Sequence, residues 1–296
     1  MTRGKIVDAL KAGRILVSDG AWGTFLIEMG LEPGESPELW AVDHGDKVTK
    51  IAKSYIDAGA DMVEADSFGG TVYKLEHYGL AGRVAEINEA AAKASRAAAG
   101  EDNWVIASAG PTGKLLVTEE VSEQEMYDAY KEQVIALEKG GADAVCIETM
   151  FATDEAALAI KATKENTNLE VICTFTFEQT VNGDYRTMMG TTPEDAAKAA
   201  LEAGADIVGT NCGNGVDRML TIVERIHKAE PNAFILLHAN AGLPIQVDGK
   251  DTFPDTPEDM AKLVPDLVKA GANIIGGCCG TTPAHIKAIK EAVKAL

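Results

Sequence analysis

The stretch Ala203-Gly204-Ala205-Asp206-Ile207-Val208-Gly209-Thr210-Asn211-Cys212-Gly213 holds the unit from which the chain is built. An alanine-rich segment of helical period, 195–203, runs up to Gly204, where a helix needs a left-handed residue just past its last turn. A short apolar run follows, and polar residues stand at its far end. Three other stretches repeat the arrangement: Ala58-Gly59-Ala60-Asp61, Gly140-Gly141-Ala142-Asp143 and Ala270-Gly271-Ala272-Asn273. Each leads from a helical segment into an apolar run, so the repeat marks the entry to a buried strand.

Working outward, the apolar runs bounded by glycine or charge are 15–18, 62–65, 104–107, 144–147, 171–175, 207–209, 234–237 and 273–275. Short continuous runs of this kind read as strands buried on both faces. Helical segments such as 195–203 and 260–270 lie between them, and the four repeats open the second, fourth, sixth and eighth strands. Thr192-Pro193, Thr256-Pro257 and Thr282-Pro283 each offer a threonine cap with proline at the first helical position. Strand alternating with helix implies parallel β-α-β units. Eight evenly spaced units favour an α/β fold of the (β/α)8 TIM-barrel type, one domain over 1–296, above an open doubly wound sheet. The segment 247–255, with Gly249 and Pro254, reads as a long loop after the seventh strand: a mobile lid or a solvated connector.

Composition narrows the function classes. A chain of 296 residues with 46% hydrophobic residues can bury a large core. A formal net charge of −19 argues against nucleic-acid binding, which needs basic patches. No apolar run reaches membrane-spanning length, and Met1-Thr2-Arg3-Gly4-Lys5 leads into an amphipathic helix rather than a secretory segment. Five cysteines without a small-domain framework fit a reducing cytoplasm.

In a barrel the chemistry sits at the C-terminal strand ends. Those ends carry Asp19-Gly20, Asp66-Ser67, Ser108, Glu148-Thr149, Thr174-Thr176, Asn211-Cys212, His238-Asn240 and Cys278-Cys279. Cys212 ends the sixth strand, and Cys278-Cys279 end the eighth within Gly276-Gly277-Cys278-Cys279-Gly280-Thr281-Thr282-Pro283. Strands of one parity turn side chains into the same layer, so Cys212, Cys278 and Cys279 are expected to converge. Three thiols with no short-spaced fourth ligand read as a Zn2+ site with one open position, the catalytic pattern. A redox pair of neighbouring cysteines is the alternative, and its ring would be strained. Cys146 and Cys173 fall inside strands and read as small buried hydrophobes. Among the histidines only His238 stands at a strand end, and it reads as a satisfied core group or one supporting the ligands from behind, rather than as a ligand.

An open site of three anionic sulfurs suits a fourth sulfur better than hydroxide. A thiol held there is a thiolate, so the residues point to alkyl transfer onto a thiol. Asp19, in Asp19-Gly20-Ala21-Trp22-Gly23-Thr24, and Glu148 are candidates to meet a substrate ammonium, and the Gly20 turn to meet a carboxylate through its backbone. Asn211 and Asn240 are candidate mouth-lining donors.

These residues resemble the homocysteine S-methyltransferase family, most closely the homocysteine-binding barrel of cobalamin-dependent methionine synthases. The carriers are the Asp19–Thr24 stretch, Glu148-Thr149, Gly209-Thr210-Asn211-Cys212, Asn240-Ala241-Gly242-Leu243-Pro244 and the paired-cysteine motif. The resemblance implies zinc on Cys212, Cys278 and Cys279, homocysteine thiolate as fourth ligand, Asp19 and Glu148 near its amino group, and a role in methionine biosynthesis. Glu64-Ala65-Asp66-Ser67-Phe68 departs from the family's Glu-Thr-Asn-Thr-Phe, placing the charged Asp66 at the mouth. No folate barrel and no D-x-H-x-x-G corrinoid signature is found.

The reading is a cytoplasmic zinc methyltransferase whose thiol substrate takes a methyl group from a separate methyl-corrinoid protein, or from another external donor. One rival keeps the fold but demethylates a small methyl donor and loads a corrinoid protein, with Asp66 marking the altered pocket. The other is a non-catalytic metal- or thiol-binding subunit.

Overall fold

In the computed structural model, which describes residues 3–247 and 250–296, eight parallel strands form one sheet. They are β1 (Leu16–Val17), β2 (Met62–Ala65), β3 (Trp104–Ala109), β4 (Ala144–Met150), β5 (Glu170–Phe175), β6 (Ile207–Gly215), β7 (Ile235–Asn240) and β8 (Ala272–Gly277). All eight expected strands are present, five of them reaching two to six residues further at their C-terminal ends and the first ending one residue sooner. The order β1-β8-β7-β6-β5-β4-β3-β2 brings β1 beside β2. Asp61 at the head of β2 joins them: its N–H donates to Val17 O at 2.7 Å and its Oδ2 accepts from Val17 N at 2.8 Å. A (β/α)8 TIM barrel results.

The repeated entry motif acts as expected at the turn. Gly59, Gly141, Gly204 and Gly271 all have φ between 99° and 114°, a region that costs an L side chain energy and glycine nothing. Its fourth residue does more. Asp143 Oδ2 accepts from Val105 N, Asp206 Oδ2 from Val171 N and Asn273 Oδ1 from Ile235 N, each at 2.8 Å. Together with Asp61, every even strand thus catches the first free N–H of the odd strand before it. The threonine caps hold at Thr192 and Thr256, whose side chains accept from Asp195 N and Asp259 N. The expected helix 260–270 is broken at Leu263 into Pro257–Lys262 and Val264–Ala270, because Pro265 has no N–H to continue the first segment.

Two apolar layers form the core. Outward residues of the strands pack under the surrounding helices, Cys173 among them. Inward residues Leu16, Met62, Ile106, Cys146, Ile172, Ile207, Leu236 and Ile274 fill the lower barrel. The helix Ile6–Lys11 closes that end, its first N–H groups bound by Glu170: Ile6 N to Oε2 at 2.6 Å and Val7 N to Oε1 at 3.0 Å. With the bottom filled, the open end among the described residues is the one where the strands finish.

Two loops at that end carry further structure. After β5 a hairpin pairs Glu178–Gln179 with Tyr185–Arg186. After β7, Ile245–Val247 pairs with Lys250–Thr252, within the segment read as a lid; Asp248 and Gly249 of that segment lie outside the described residues. Among the described residues no helix is long and apolar enough to cross a membrane.

Candidate metal centre and active-site cavity

The strand ends surround a cavity of about 310 Å³. Cys212 from β6 and Cys278 and Cys279 after β8 share one wall of it, and their three sulfurs all lie within 4.8 Å of one another. Cys212 Sγ and Cys279 Sγ are 3.9 Å apart. Three sulfurs bound tetrahedrally at about 2.3 Å stand about 3.8 Å from each other, so the trio fits a single ion of zinc's size and preference. No fourth His, Cys, Asp or Glu joins this group among the described residues.

Backbone geometry aims these thiols. Cys212 has φ 55° and Gly213 φ 74°, and the β6–β7 register shifts between Asn211 and Gly215. This kink turns Cys212 off the sheet line. Cys278 is held by its N–H on Ala239 O at 2.7 Å, and Cys279 by its O, which accepts from Ala241 N at 3.0 Å. Thr281 Oγ1 donates back to Cys278 O at 2.7 Å and accepts from Ala21 N at 3.1 Å. Gly277 leaves room for that hydroxyl: a Cβ there would stand 2.3 Å from Thr281 Oγ1.

The sulfurs share charge. Hydrogen bonds from Cys278 and Cys279, with help from Gly213 N–H and the Asn240 amide, hold the Cys212 thiol down at about 3. Bonds to Cys212 and Cys279 hold Cys278 well above the ordinary thiol range, and the bond to Cys212, with burial, pushes Cys279 up to about 12. One thiolate shared by three sulfurs is what a soft cation would find on arrival.

Carboxylates from β2 and β4 share the cavity with the thiols. Glu148, on β4, lines the cavity; Ser108 Oγ donates to its Oε1, and Asn211 Nδ2 to its Oε2 at 3.0 Å. Burial pushes it up to about 7. Thr149 beside it has φ 60°. Asn211 does not face the cavity. Its Oδ1 accepts from Thr149 N and Thr174 Oγ1, each at 2.7 Å, and its amide also donates to Thr149 Oγ1 at 2.8 Å. Asp19 too is turned inward. Its Oδ2 accepts from Trp22 Nε1 and Glu64 N at 2.8 Å, its Oδ1 from Ser18 Oγ at 3.2 Å, and burial lifts it to about 6. Gly20 lines the cavity in its stead. Asp66 lines it as well, with Oδ2 unpartnered and burial raising its carboxyl. Asn240 stands against Cys212 with its own Oδ1 unpartnered.

Sequence reasoning missed two cavity groups. Glu64 on β2 is buried and lines the cavity, and His238 on β7, read as a satisfied core group or one supporting the ligands, lines it too and has Nε2 without a partner. Glu64 could have been found as a carboxylate placed inside an apolar strand, with the same parity as Asp66. Trp22, Phe68 and Thr149 complete the walls.

The comparisons with known proteins agree with this geometry. The homocysteine S-methyltransferase family model matches residues 16–293. The metallated form of the homocysteine methyltransferase MmuM from Escherichia coli superimposes with a TM-score of 0.78 at 21% identity, covering 96% of this chain and 98% of that one. Its oxidized form matches with the same TM-score at 22% identity and the same coverage. The carboxyl transferase domain of Rhizobium etli pyruvate carboxylase shares the barrel more loosely, with a TM-score of 0.52 at 14% identity, over 95% of this chain and 47% of that one. Since the family match spans nearly every residue from the first strand to the last helix, the chain is a methyltransferase belonging to the homocysteine S-methyltransferase family.

Proposed function

We propose that the chain is a zinc-dependent thiol S-methyltransferase that takes homocysteine as acceptor and an external methyl donor. By the resemblance drawn from its motifs the donor is a separate methyl-corrinoid protein, and the setting is cytoplasmic methionine biosynthesis. The observation that carries this reading is the convergence of Cys212, Cys278 and Cys279 within 4.8 Å on the wall of a cavity, with no fourth protein ligand beside them. Zinc, when bound by the three cysteines, supplies Lewis acidity that favours the thiolate form of a substrate thiol.

The chain's own residues position the reactants. The narrow cavity keeps the thiol at the sulfur wall, and Glu148, fixed by Ser108 and Asn211, orients the amino end. The filled lower barrel leaves one approach for the donor, through the mouth between the loops. As the substrate's S–C bond forms, the bond from the methyl carbon to the donor breaks and its electron pair stays with the donor. The thiol proton departs when the thiol binds, so no protein nucleophile is needed.

Calorimetric titration of L-homocysteine into zinc-loaded protein, in two buffers of different ionisation enthalpy, tests the acceptor. Binding with about one proton released per site is expected. Protein holding one zinc per chain that takes up no homocysteine would mean another acceptor, with Asp66 the first residue to examine.

A further inference from the structure

His285 stands in the first turn of the helix Pro283–Lys294, which opens just past the paired cysteines. Its side chain is buried, and both ring nitrogens are engaged. Thr282 N–H donates to Nδ1 at 3.1 Å, with Thr282 Oγ1 at 2.9 Å from the same nitrogen. Nε2 lies 3.0 Å from Asp255 O. An amide N–H only donates and a carbonyl oxygen only accepts, so Nδ1 is the acceptor and Nε2 carries the proton. A single neutral tautomer satisfies both partners and fixes the ring between them.

The bond to Asp255 closes a circuit around the metal centre. Cys279 O accepts from Ala241 N at 3.0 Å, and Ala241 O accepts from Asp255 N at 3.0 Å. Asp255 O meets the His285 ring, and the ring leads back through Thr282 to the cysteine turn. The residues before Asp255 lie on that same turn. Gly280 has φ 79°, and a Cβ on it would stand 2.3 Å from Phe253 Cβ. The Asp255 carboxylate extends toward the other arm of the sulfur trio. A Cβ on Gly242 would come 2.7 Å from its Oδ1, and one on Gly215 3.6 Å from its Oδ2. Gly215 ends β6, the strand that carries Cys212.

We infer that His285 is a positioning residue for the metal centre, holding Phe253–Asp255 against the Cys278–Gly280 turn so that the three sulfurs stay convergent. The inference rests on the reading of Cys212, Cys278 and Cys279 as zinc ligands. Thiols on a turn free to swing would have to be ordered as the ion binds, and the ordering would weaken binding. A turn already closed by hydrogen bonds leaves little to order. His285 acts through Asp255 and Thr282, as groups behind metal ligands do when they set ligand orientation. Capping the helix would need only Nδ1, which already receives the Thr282 N–H. The Nε2 bond is the part that serves the metal centre.

The two nitrogens can be tested apart. His285→Asn keeps an acceptor near Thr282 N–H but cannot reach Asp255, whereas His285→Gln carries its amide toward Asp255. Zinc affinity is measured by chelator competition on wild type and both variants, with the absorption bands of cobalt-substituted protein and urea unfolding of metal-free protein. His285→Asn is expected to bind zinc about 10- to 100-fold more weakly, with altered cobalt bands, which report the arrangement of the sulfur ligands. His285→Gln should recover most of that affinity. Wild-type zinc affinity and cobalt bands in His285→Asn would overturn the inference and leave His285 a helix cap. Zinc binding by His285→Gln no tighter than by His285→Asn would overturn it too. Should neither variant fold, nitrogen NMR of the wild-type imidazole decides: a proton on Nε2 alone supports the inference, and one on Nδ1 overturns it. Wild type that takes up no zinc would sink the proposed function and this inference together.

Discussion

Asn211 Nδ2 stands 3.0 Å from Glu148 Oε2, and the next residue in the chain is Cys212. One amide thus ties the sulfur wall to a carboxylate of the same cavity. Its four hydrogen bonds, to Thr149 N, Thr149 Oγ1, Thr174 Oγ1 and Glu148, use every donor and acceptor it has. Asn211→Ala would orphan Thr149 N–H and release the turn that presents Cys212. We expect a loss of about 3 kcal/mol in urea unfolding and zinc affinity weakened by roughly 10- to 100-fold in a chelator competition. Unchanged zinc affinity with lowered stability would confine Asn211 to a folding role.

At the opposite end of the barrel Asp143 gathers strand and helix charge. It accepts from Val105 N at 2.8 Å, from Arg3 Nε at 2.9 Å and Nη2 at 2.6 Å, and from Arg96 Nη2. Asp143→Ala strips the β3 N–H of its acceptor and two half-buried guanidinium groups of their carboxylate partner, leaving them only backbone carbonyls. The expected cost is about 2–4 kcal/mol by urea unfolding. Asp143→Asn keeps an acceptor for Val105 and should lose roughly half as much. Equal losses would assign the whole effect to the arginine pairs.

These two residues show what a sequence discloses and what it withholds. The barrel was legible because its signals are local and repeated: a glycine at each helix end, an apolar run after it, polar residues at the strand's end. The cysteines were legible because only three of the five fall at strand ends. The stitching role of Asp61, Asp143, Asp206 and Asn273 was not, though all four stand in the quoted repeat, because it depends on which strand lies alongside. Nor was the inward turn of Asp19, or the nearness of Glu64 to His238. Side-chain direction at the mouth is set by register shifts at 147/150 and 211/215, and by left-handed Thr149 and Cys212. Neither residue type announces such a backbone, as glycine does.

Asp19 makes folding depend on pH. Burial lifts its carboxyl from 3.8 to about 6, so between those values the folded chain holds a proton that the unfolded chain has released. The contribution of this group to stability is therefore full below about pH 4 and is lost as pH rises through 6. Asp19→Asn keeps an oxygen for Trp22 and Glu64 N and removes the ionisation. In metal-free, reduced protein the variant should gain on wild type between pH 4.5 and 7, by on the order of 2 kcal/mol. A stability difference that stays flat across this range would show that the Asp19 proton is not linked to folding.

Gly209 sits in the stretch that decides the fold, and its need is for space. It pairs in register with Leu236 of β7, and a Cβ on it would lie 1.8 Å from Leu236 O and 2.8 Å from Leu236 C. Those are backbone atoms of a central strand, which cannot rotate away. Gly209→Ala must then part β6 from β7 just below Cys212, at an expected cost above about 3 kcal/mol. Gly183, in the hairpin after β5, poses the opposite case: φ is 79° but nothing lies within 4 Å of its would-be Cβ. Gly183→Ala meets only left-handed strain, about 1 kcal/mol. Urea midpoints of the two variants separate the causes. If both lose the same amount, close approach of the strands is not what requires glycine at 209, and the barrel tolerates more separation beneath the metal centre than this packing implies.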